Sequence, residues 1–114
     1  MSPRTDEYLD HILIETAYIL SNSAKVNKAD FLKDETLKRA YVRSPEIIGE
    51  ATKQLPDTLR EKYSAVDWRG IAGMRDRLVH AYFGIDYDIV WDVIADEVPL
   101  LDAVVKKILE KDYS

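Results

Sequence analysis

Apolar residues recur along this chain at intervals of three and four, and this spacing constrains the fold more than any other feature of the sequence. Such intervals place apolar side chains on one stripe of an α-helix, whereas a half-buried strand alternates at intervals of two. The 114 residues include only four glycines, and no Asn-Gly or Asp-Gly pair marks a hairpin turn. We therefore predict an all-α fold in which helices pack only on helices. The stripe of the first predicted helix consists of Leu9, Ile12, Leu13, Thr16, Ala17 and Leu20.

The stripes and their capping residues predict an up-and-down bundle of four or five helices in a single domain, residues 1–114. Pro45 and Pro99 each fall inside a stripe whose phase continues, so each is expected to kink a helix rather than end it. Asp67 and Gly84 are of the types that begin and end helices. The predicted helices run from Thr5 or Asp6 to Ser21, from Phe31 or Asp34 to Leu55, from Asp57 to Tyr63, from Asp67 to Gly84, and from Asp86 or Asp88 to the end, with a loop from Asn22 to Asp30.

The composition argues against metal-binding, membrane-spanning and secreted classes of protein. The chain has no cysteine and only two histidines, and no carboxylate pair lies at ligand spacing from His80, so we expect no metal and no other cofactor. No apolar run approaches the roughly 18 residues of a membrane span, and the first residues lack the apolar segment of a signal peptide. We expect a cytoplasmic protein without membrane contact. The net charge of −5 argues against general affinity for nucleic acid, but a cluster of lysines and arginines between residues 38 and 77 leaves room for a local basic cleft.

The spacing Arg75-x4-His80-x-Tyr82 marks the candidate functional residues. Histidine can accept or donate a proton near neutral pH, and the planar guanidinium of arginine matches the oxygens of a phosphate. In the predicted helix, Arg75 and Tyr82 share a face, whereas His80 lies about 140° from Arg75. Asp76 would lie directly beside His80, four residues away. One helix therefore does not bring Arg75 and His80 together, and a homodimer with a two-fold axis near this helix is expected to do so.

The residues around this motif resemble the HepT branch of the HEPN superfamily. The matching segments are WRGIAGMR at residues 68–75, LVHAYFGID at 78–86, VW at 90–91 and PEIIGEA at 45–51. Pro45 departs from the pattern of the family, which puts only the straightness of the second helix in doubt. The resemblance implies a HEPN-like helical bundle that forms homodimers and cleaves RNA without a metal, with tRNA as a known class of target.

The resemblance also implies a role for each residue of the motif. Arg75 and His80 become the catalytic pair, and Asp76, which follows the arginine, is expected to tune His80. The family forms a type VII toxin–antitoxin pair with MntA, a minimal nucleotidyltransferase antitoxin that transfers AMP from ATP to a tyrosine. Tyr82 occupies the position of that tyrosine. The implied protein is an endoribonuclease toxin that is silenced by AMPylation of Tyr82.

Each of these residues also has an ordinary structural interpretation. The alternative interpretation of His80 is a structural residue that is hydrogen-bonded to Asp76, and that of Tyr82 is packing in the core. Arg77 is interpreted as a solvated helix charge, and His11 as a surface residue. Gly73 is interpreted as a point of close approach between helices. The two tryptophans, Trp68 and Trp91, are expected in the core or at a dimer interface.

Two other functions are compatible with the sequence. The chain could be a helical subunit that presents substrate to a nucleotidyltransferase and cleaves nothing itself. It could also be a dimeric bundle whose only function is a partner interface. An adjacent nucleotidyltransferase gene favours either the ribonuclease or the subunit over the interface protein. Growth arrest that depends on His80 distinguishes the ribonuclease from the subunit.

Overall fold

A computed structural model describes residues 4–80 and 84–113 of the chain, with His80 described at its backbone only. Within these residues the chain forms eight α-helices, one π-helical turn and one ladder of two short strands. The all-α fold class is confirmed, although the helical segments outnumber the four or five predicted. The helices are α1 (Thr5–Ser23), α2 (Lys28–Lys33), α3 (Glu35–Lys53), α4 (Asp57–Lys62), α5 (Trp68–Ala72), α6 (Met74–Leu78), α7 (Tyr87–Asp92) and α8 (Val98–Asp112); the strands are β1 (Val79–His80) and β2 (Gly84–Ile85), and the π-helical turn spans Val93–Glu97.

Three long helices form the frame of the bundle, because α1 packs against both α3 and α8. Leu9, Ile12 and Thr16 of the predicted stripe are buried, whereas Ala17 is exposed and Ile19 takes the next buried position. Burying an aliphatic side chain of this size contributes about 1.5 to 3 kcal/mol, so the stripe holds α1 in place. None of the helices in the described ranges is both long and apolar enough to cross a membrane.

The short helices begin at side chains that accept hydrogen bonds from the free backbone N–H groups of the first turn. Asn27 caps α2 by accepting from the N–H of Asp30 at 2.8 Å, so the loop predicted to reach Asp30 ends earlier. Asp67 caps α5, as predicted from its residue type. Asp86 caps α7 by accepting from two successive N–H groups, which selects Asp86 over Asp88 as the start of that helix.

The prediction of one continuous helix from Asp67 to Gly84 is wrong. Gly73 interrupts it between α5 and α6, and α6 ends at Leu78. The carbonyl of Leu78 accepts a hydrogen bond at 2.9 Å from the N–H of Asp86, a residue beyond the predicted helix. Gly84 has a φ of +75°, which suits glycine, but it lies in β2 and not after a helix end.

The two prolines inside predicted helices have different effects. Helix α3 continues across Pro45, as predicted. Pro99 lies in the first turn of α8, where a missing N–H costs nothing, and the interruption falls upstream in the π-helical turn Val93–Glu97. The helical run continues past Pro99 to Asp112, as predicted, and its irregularity lies just before the proline. The π-helical turn adds a residue to the helical register and shifts the direction of the side chains that follow.

Close packing of α3 on α5 depends on Gly49 rather than on Gly73. A β-carbon at Gly49 would lie 2.9 Å from the carbonyl oxygen of Ile71 and 3.3 Å from the β-carbon of Met74. A β-carbon at Gly73 would meet the oxygen of Arg69, on its own helical segment, at the ordinary distance of 3.4 Å. The prediction that Gly73 allows helices to approach is corrected accordingly.

Candidate active site

Helix α6 carries the first part of the predicted motif on a single helical turn. One side of α6 packs into the core through Met74 and Leu78, whose surfaces are only 2% and 0% exposed. Arg75 and Asp76 lie on the opposite side and are exposed. Isolated helices of five residues are unstable in water, so the buried contacts of Met74 and Leu78 are what hold this turn in shape.

Directly after α6 the backbone becomes extended and carries the histidine of the motif. Val79 pairs with Ile85 and His80 pairs with Gly84 in an antiparallel register. Next to this ladder, the N–H of Asp86 donates a hydrogen bond to the carbonyl of Leu78. His80 thus follows a helix instead of lying inside one. The predicted angle of 140° from Arg75, the shared helical face of Arg75 and Tyr82, and the stacking of Asp76 on His80 do not apply, because all three assumed a continuous helix.

The two arginines of the motif have different surroundings. Arg77 donates through both of its terminal nitrogens to Glu97, with distances of 2.9 Å to Oε1 and 2.7 Å to Oε2. These hydrogen bonds raise the pKa of Arg77, and the negative charge of Asp67 raises it further. Arg75 makes no ion pair or hydrogen bond with any other side chain that the structure describes. Arg77 is therefore not the solvated charge that the sequence suggested, whereas Arg75 presents its guanidinium to solvent.

The other predicted site residues are only partly described. Asp76 is exposed and lies one residue after Arg75. The backbone of His80 lies in β1, and its side chain lies outside the described residues, as does Tyr82 altogether. The structure therefore places Arg75, Asp76 and the backbone of His80 on one short segment. The catalytic assignment itself stays a prediction.

The aromatic residues that could have formed a binding surface are mainly structural. Trp68 is buried, and its indole N–H donates to the carbonyl of Tyr63 at 2.9 Å. Trp91 is partly buried against Phe31, with ring centroids 5.3 Å apart. Both belong to the core, one of the two locations expected from the sequence. His11 is exposed on α1, as predicted, with the ring of Tyr8 beside it.

Comparison with known proteins settles the family. A family model named HepT-like and described as ribonuclease HepT-like matches residues 9–108. The chain belongs to the HepT-like ribonuclease family. A relative from Caldanaerobacter subterraneus subsp. tengcongensis, provisionally named an RNase, is 51% identical over 92% of this chain and 94% of its own length. No solved structure matches the chain.

Two archaeal relatives carry related names. A protein of Methanocaldococcus jannaschii, also provisionally named an RNase, is 50% identical over 61% of this chain and 58% of its own length. A protein of Thermococcus cleftensis, provisionally named ribonuclease HepT, is 34% identical over 90% of this chain and 93% of its own length. These names and the family support a nuclease activity at the level of the family.

In this HepT-like chain, the cation of Arg75 lies on α6 and His80 lies on β1, which follows α6 directly. In the described part of the chain, no group of three or more histidine and carboxylate side chains could hold a metal ion. The residue that sequence reasoning missed is Glu97. It lies twenty positions from Arg77 in the sequence, so no short-range pattern links the two, and only the fold brings them together.

Proposed function

We propose that this HepT-like protein is a metal-independent endoribonuclease and the toxin of a type VII toxin–antitoxin pair. The observation that carries the proposal is the exposed guanidinium of Arg75, which no described side chain neutralises. It lies on the turn that leads directly to His80, in a protein of a ribonuclease family. An arginine on a backbone turn that is packed in place, with a guanidinium that pairs with no described side chain, is suited to bind a phosphate of RNA.

The proposed reaction is the attack of a ribose 2′-hydroxyl on the adjacent phosphorus. The bond from O2′ to phosphorus forms, and the bond from phosphorus to the 5′ oxygen breaks, leaving a cyclic 2′,3′-phosphate and a free 5′-hydroxyl. His80 accepts the proton of the 2′-hydroxyl or donates a proton to the departing 5′ oxygen, and water exchanges the other proton. Such proton transfer contributes about 10²- to 10⁴-fold to the rate. Arg75 stabilises the charge that gathers on the phosphate oxygens.

Two further elements of the proposal concern the surroundings of the catalytic pair. Asp76 is proposed to tune His80 through its negative charge, a role that rests on its place in the motif and not on helical stacking. The active form is proposed to be a homodimer that binds RNA, with tRNA as a candidate substrate. Because His80 does not lie in the same helix as Arg75, the dimer is proposed from the resemblance to the family alone.

Regulation is proposed to act through Tyr82. The phenol oxygen attacks the α-phosphorus of ATP in the active site of an MntA-like nucleotidyltransferase, and pyrophosphate leaves. The new phosphodiester adds a negative charge and a bulky nucleoside two residues from His80. Both changes oppose the binding of an RNA phosphate nearby, one by repulsion and the other by volume.

Expression of the chain in bacteria without any antitoxin tests the proposal. We expect growth to stop with the wild-type protein and to continue with His80→Ala. His11→Ala is the matched control, because His11 is the other histidine of the chain and is exposed on α1, and this variant should stay toxic. If the wild-type protein is folded and expressed but harmless, the chain is better explained as a non-catalytic subunit of a nucleotidyltransferase.

A further inference from the structure

We propose that Arg77 and Glu97 form a positioning pair that holds the segment of Arg75 and His80 in its active geometry. The inference rests on the proposed ribonuclease function and adds two residues to it. Neither residue is proposed to touch RNA. Their role is to fix the short turn α6 relative to the frame of the bundle.

The ion pair between Arg77 and Glu97 has a two-pronged geometry. Both terminal nitrogens of Arg77 donate to Glu97, one to each carboxylate oxygen, at 2.9 and 2.7 Å. A two-pronged pair fixes orientation as well as distance, which a single contact does not. The side chains retain only 35% and 29% of their exposure, so water competes for the pair less than at an open surface. This pair is therefore a contact that fixes both the distance and the orientation between α6 and the π-helical turn.

The pair connects the segment of the candidate site to the frame of the bundle. Arg77 belongs to α6, a helix of five residues that carries Arg75 and continues into the strand of His80. Glu97 is the last residue of the π-helical turn and directly precedes α8, which packs along α1. The pair thus ties the least self-supporting helix of the site to one of the three long helices of the frame.

The surroundings of Arg77 and Glu97 favour the formation of the pair. Glu97 borders a narrow gap in the core that is lined mainly by apolar side chains, including Pro45, Ile48 and Met74. Asp67, at the start of α5, adds negative charge near Arg77. The apolar lining beside Glu97 limits the water available to its carboxylate, and the negative charge of Asp67 favours the cation at Arg77. Of the two arginines of α6, Arg75 is the one that pairs with no described side chain.

The π-helical turn contributes to the same arrangement. A π-helical turn accommodates one residue more than an α-helix, and such turns are frequent at functional sites. Here the extra residue falls within Val93–Glu97, the turn that ends at the residue whose carboxylate meets Arg77. A regular α-helix over the same residues would turn Glu97 to a different direction. The turn therefore sets the direction in which Glu97 faces α6.

The test compares purified wild-type protein with Glu97→Gln, Arg77→Gln and the double variant. We expect each single change to lower kcat for RNA cleavage by about 10- to 100-fold with little change in KM, because displacing catalytic groups by about 1 Å has effects of this size. The double variant should be no worse than either single one, because both changes remove the same contact. If Glu97→Gln does not fold, Arg77→Lys is used in its place. Lysine keeps the positive charge but cannot donate two hydrogen bonds to the carboxylate in the geometry of arginine.

The control is Asp112→Asn, which removes another ion pair between two elements. Asp112 accepts from Lys62 at 3.0 Å and joins α4 to the end of α8, without involving α5, α6 or the π-helical turn. This variant should keep the wild-type kcat. An equal loss of kcat in Asp112→Asn and Glu97→Gln would overturn the proposal, because the effect would then be one of general stability.

A second readout does not depend on activity. Hydrogen exchange measured by mass spectrometry should become faster in a peptide covering residues 74–80 of Glu97→Gln, and remain unchanged in a peptide from α1. Unchanged exchange at residues 74–80, or wild-type kcat in both single variants, would overturn the positioning role and leave the ribonuclease proposal intact. If the wild-type protein cleaves no RNA, the ribonuclease proposal fails, while faster exchange would still support the positioning role of the pair.

Discussion

Gly49 of α3 lies so close to Ile71 of α5 that a β-carbon at residue 49 would stand 2.9 Å from the Ile71 carbonyl oxygen. The opposing atom belongs to the backbone and cannot rotate away, as the end of a flexible side chain can. The segment pressed against Gly49 also includes Met74, the first residue of α6. The distance between α3 and the turn that carries Arg75 is therefore set by the absence of one side chain.

Replacement of Gly49 by alanine should destabilise the protein. Overpacking against the Ile71 oxygen costs about 1 to 3 kcal/mol, while the better helix propensity of alanine returns up to about 1 kcal/mol. We expect a net loss of about 1 to 2 kcal/mol in the free energy of unfolding, measured with urea. Gly73→Ala is the control and should stay within about 1 kcal/mol of wild type, because its β-carbon meets nothing closer than 3.4 Å.

A buried hydrogen bond between α1 and α8 gives a second stability prediction. Thr16 is fully buried and donates from its hydroxyl to Oδ1 of Asp102 at 2.7 Å, and Lys106 pairs with the other carboxylate oxygen. Thr16→Val preserves the shape but removes the donor from a buried charged acceptor, which costs about 1 to 3 kcal/mol. Thermal unfolding should show this loss. Thr36→Val, at an exposed position in α3, should change the free energy of unfolding by less than about 0.5 kcal/mol.

The helices framing the bundle were predictable from the sequence because their signals are local. The apolar stripe predicts the start of α1 and the continuation of α3 across Pro45, and residue type predicts Asp67 as a cap. These features depend on neighbours within about one helical turn, where spacing and capping chemistry determine the outcome.

The candidate site was less predictable, because long-range contacts decide its shape. The periodicity of residues 67–84 favours a helix, but the hydrogen bond from the Asp86 N–H to the Leu78 carbonyl competes with it and ends α6. The Arg77–Glu97 pair joins two segments whose separation in sequence carries no signal. Tertiary contacts thus override the local preference at the motif.

Modification by AMP should be confined to Tyr82. When the protein is incubated with its neighbouring nucleotidyltransferase, ATP and magnesium, mass spectrometry of peptides should find AMP on Tyr82. The exposed Tyr18 and Tyr113 are internal controls for unselective transfer and should remain unmodified. Tyr82→Phe removes only the acceptor oxygen, so it should abolish the modification. AMP found on another tyrosine, or on none, would refute the regulatory proposal.

Cleavage of RNA should not require a divalent metal ion. The chain has two histidines and no cysteine, and its described part has no cluster suited to hold a metal. We expect the same rate of cleavage with excess EDTA as without it, measured on a labelled RNA in a gel assay. Activity that disappears in EDTA and returns with magnesium or manganese would rule out the proposed mechanism.

The most direct test of the central claim is single-turnover cleavage of RNA by purified protein with Arg75 or His80 altered. We expect the wild-type protein to cleave RNA and His80→Ala to lose at least about 100-fold in rate. Arg75→Lys should also be severely impaired, because the point charge of lysine does not replace the planar guanidinium. Arg69→Lys, an exposed arginine on α5, should cleave like wild type. Wild-type rates in folded His80→Ala or Arg75→Lys would contradict the assignment of the active site.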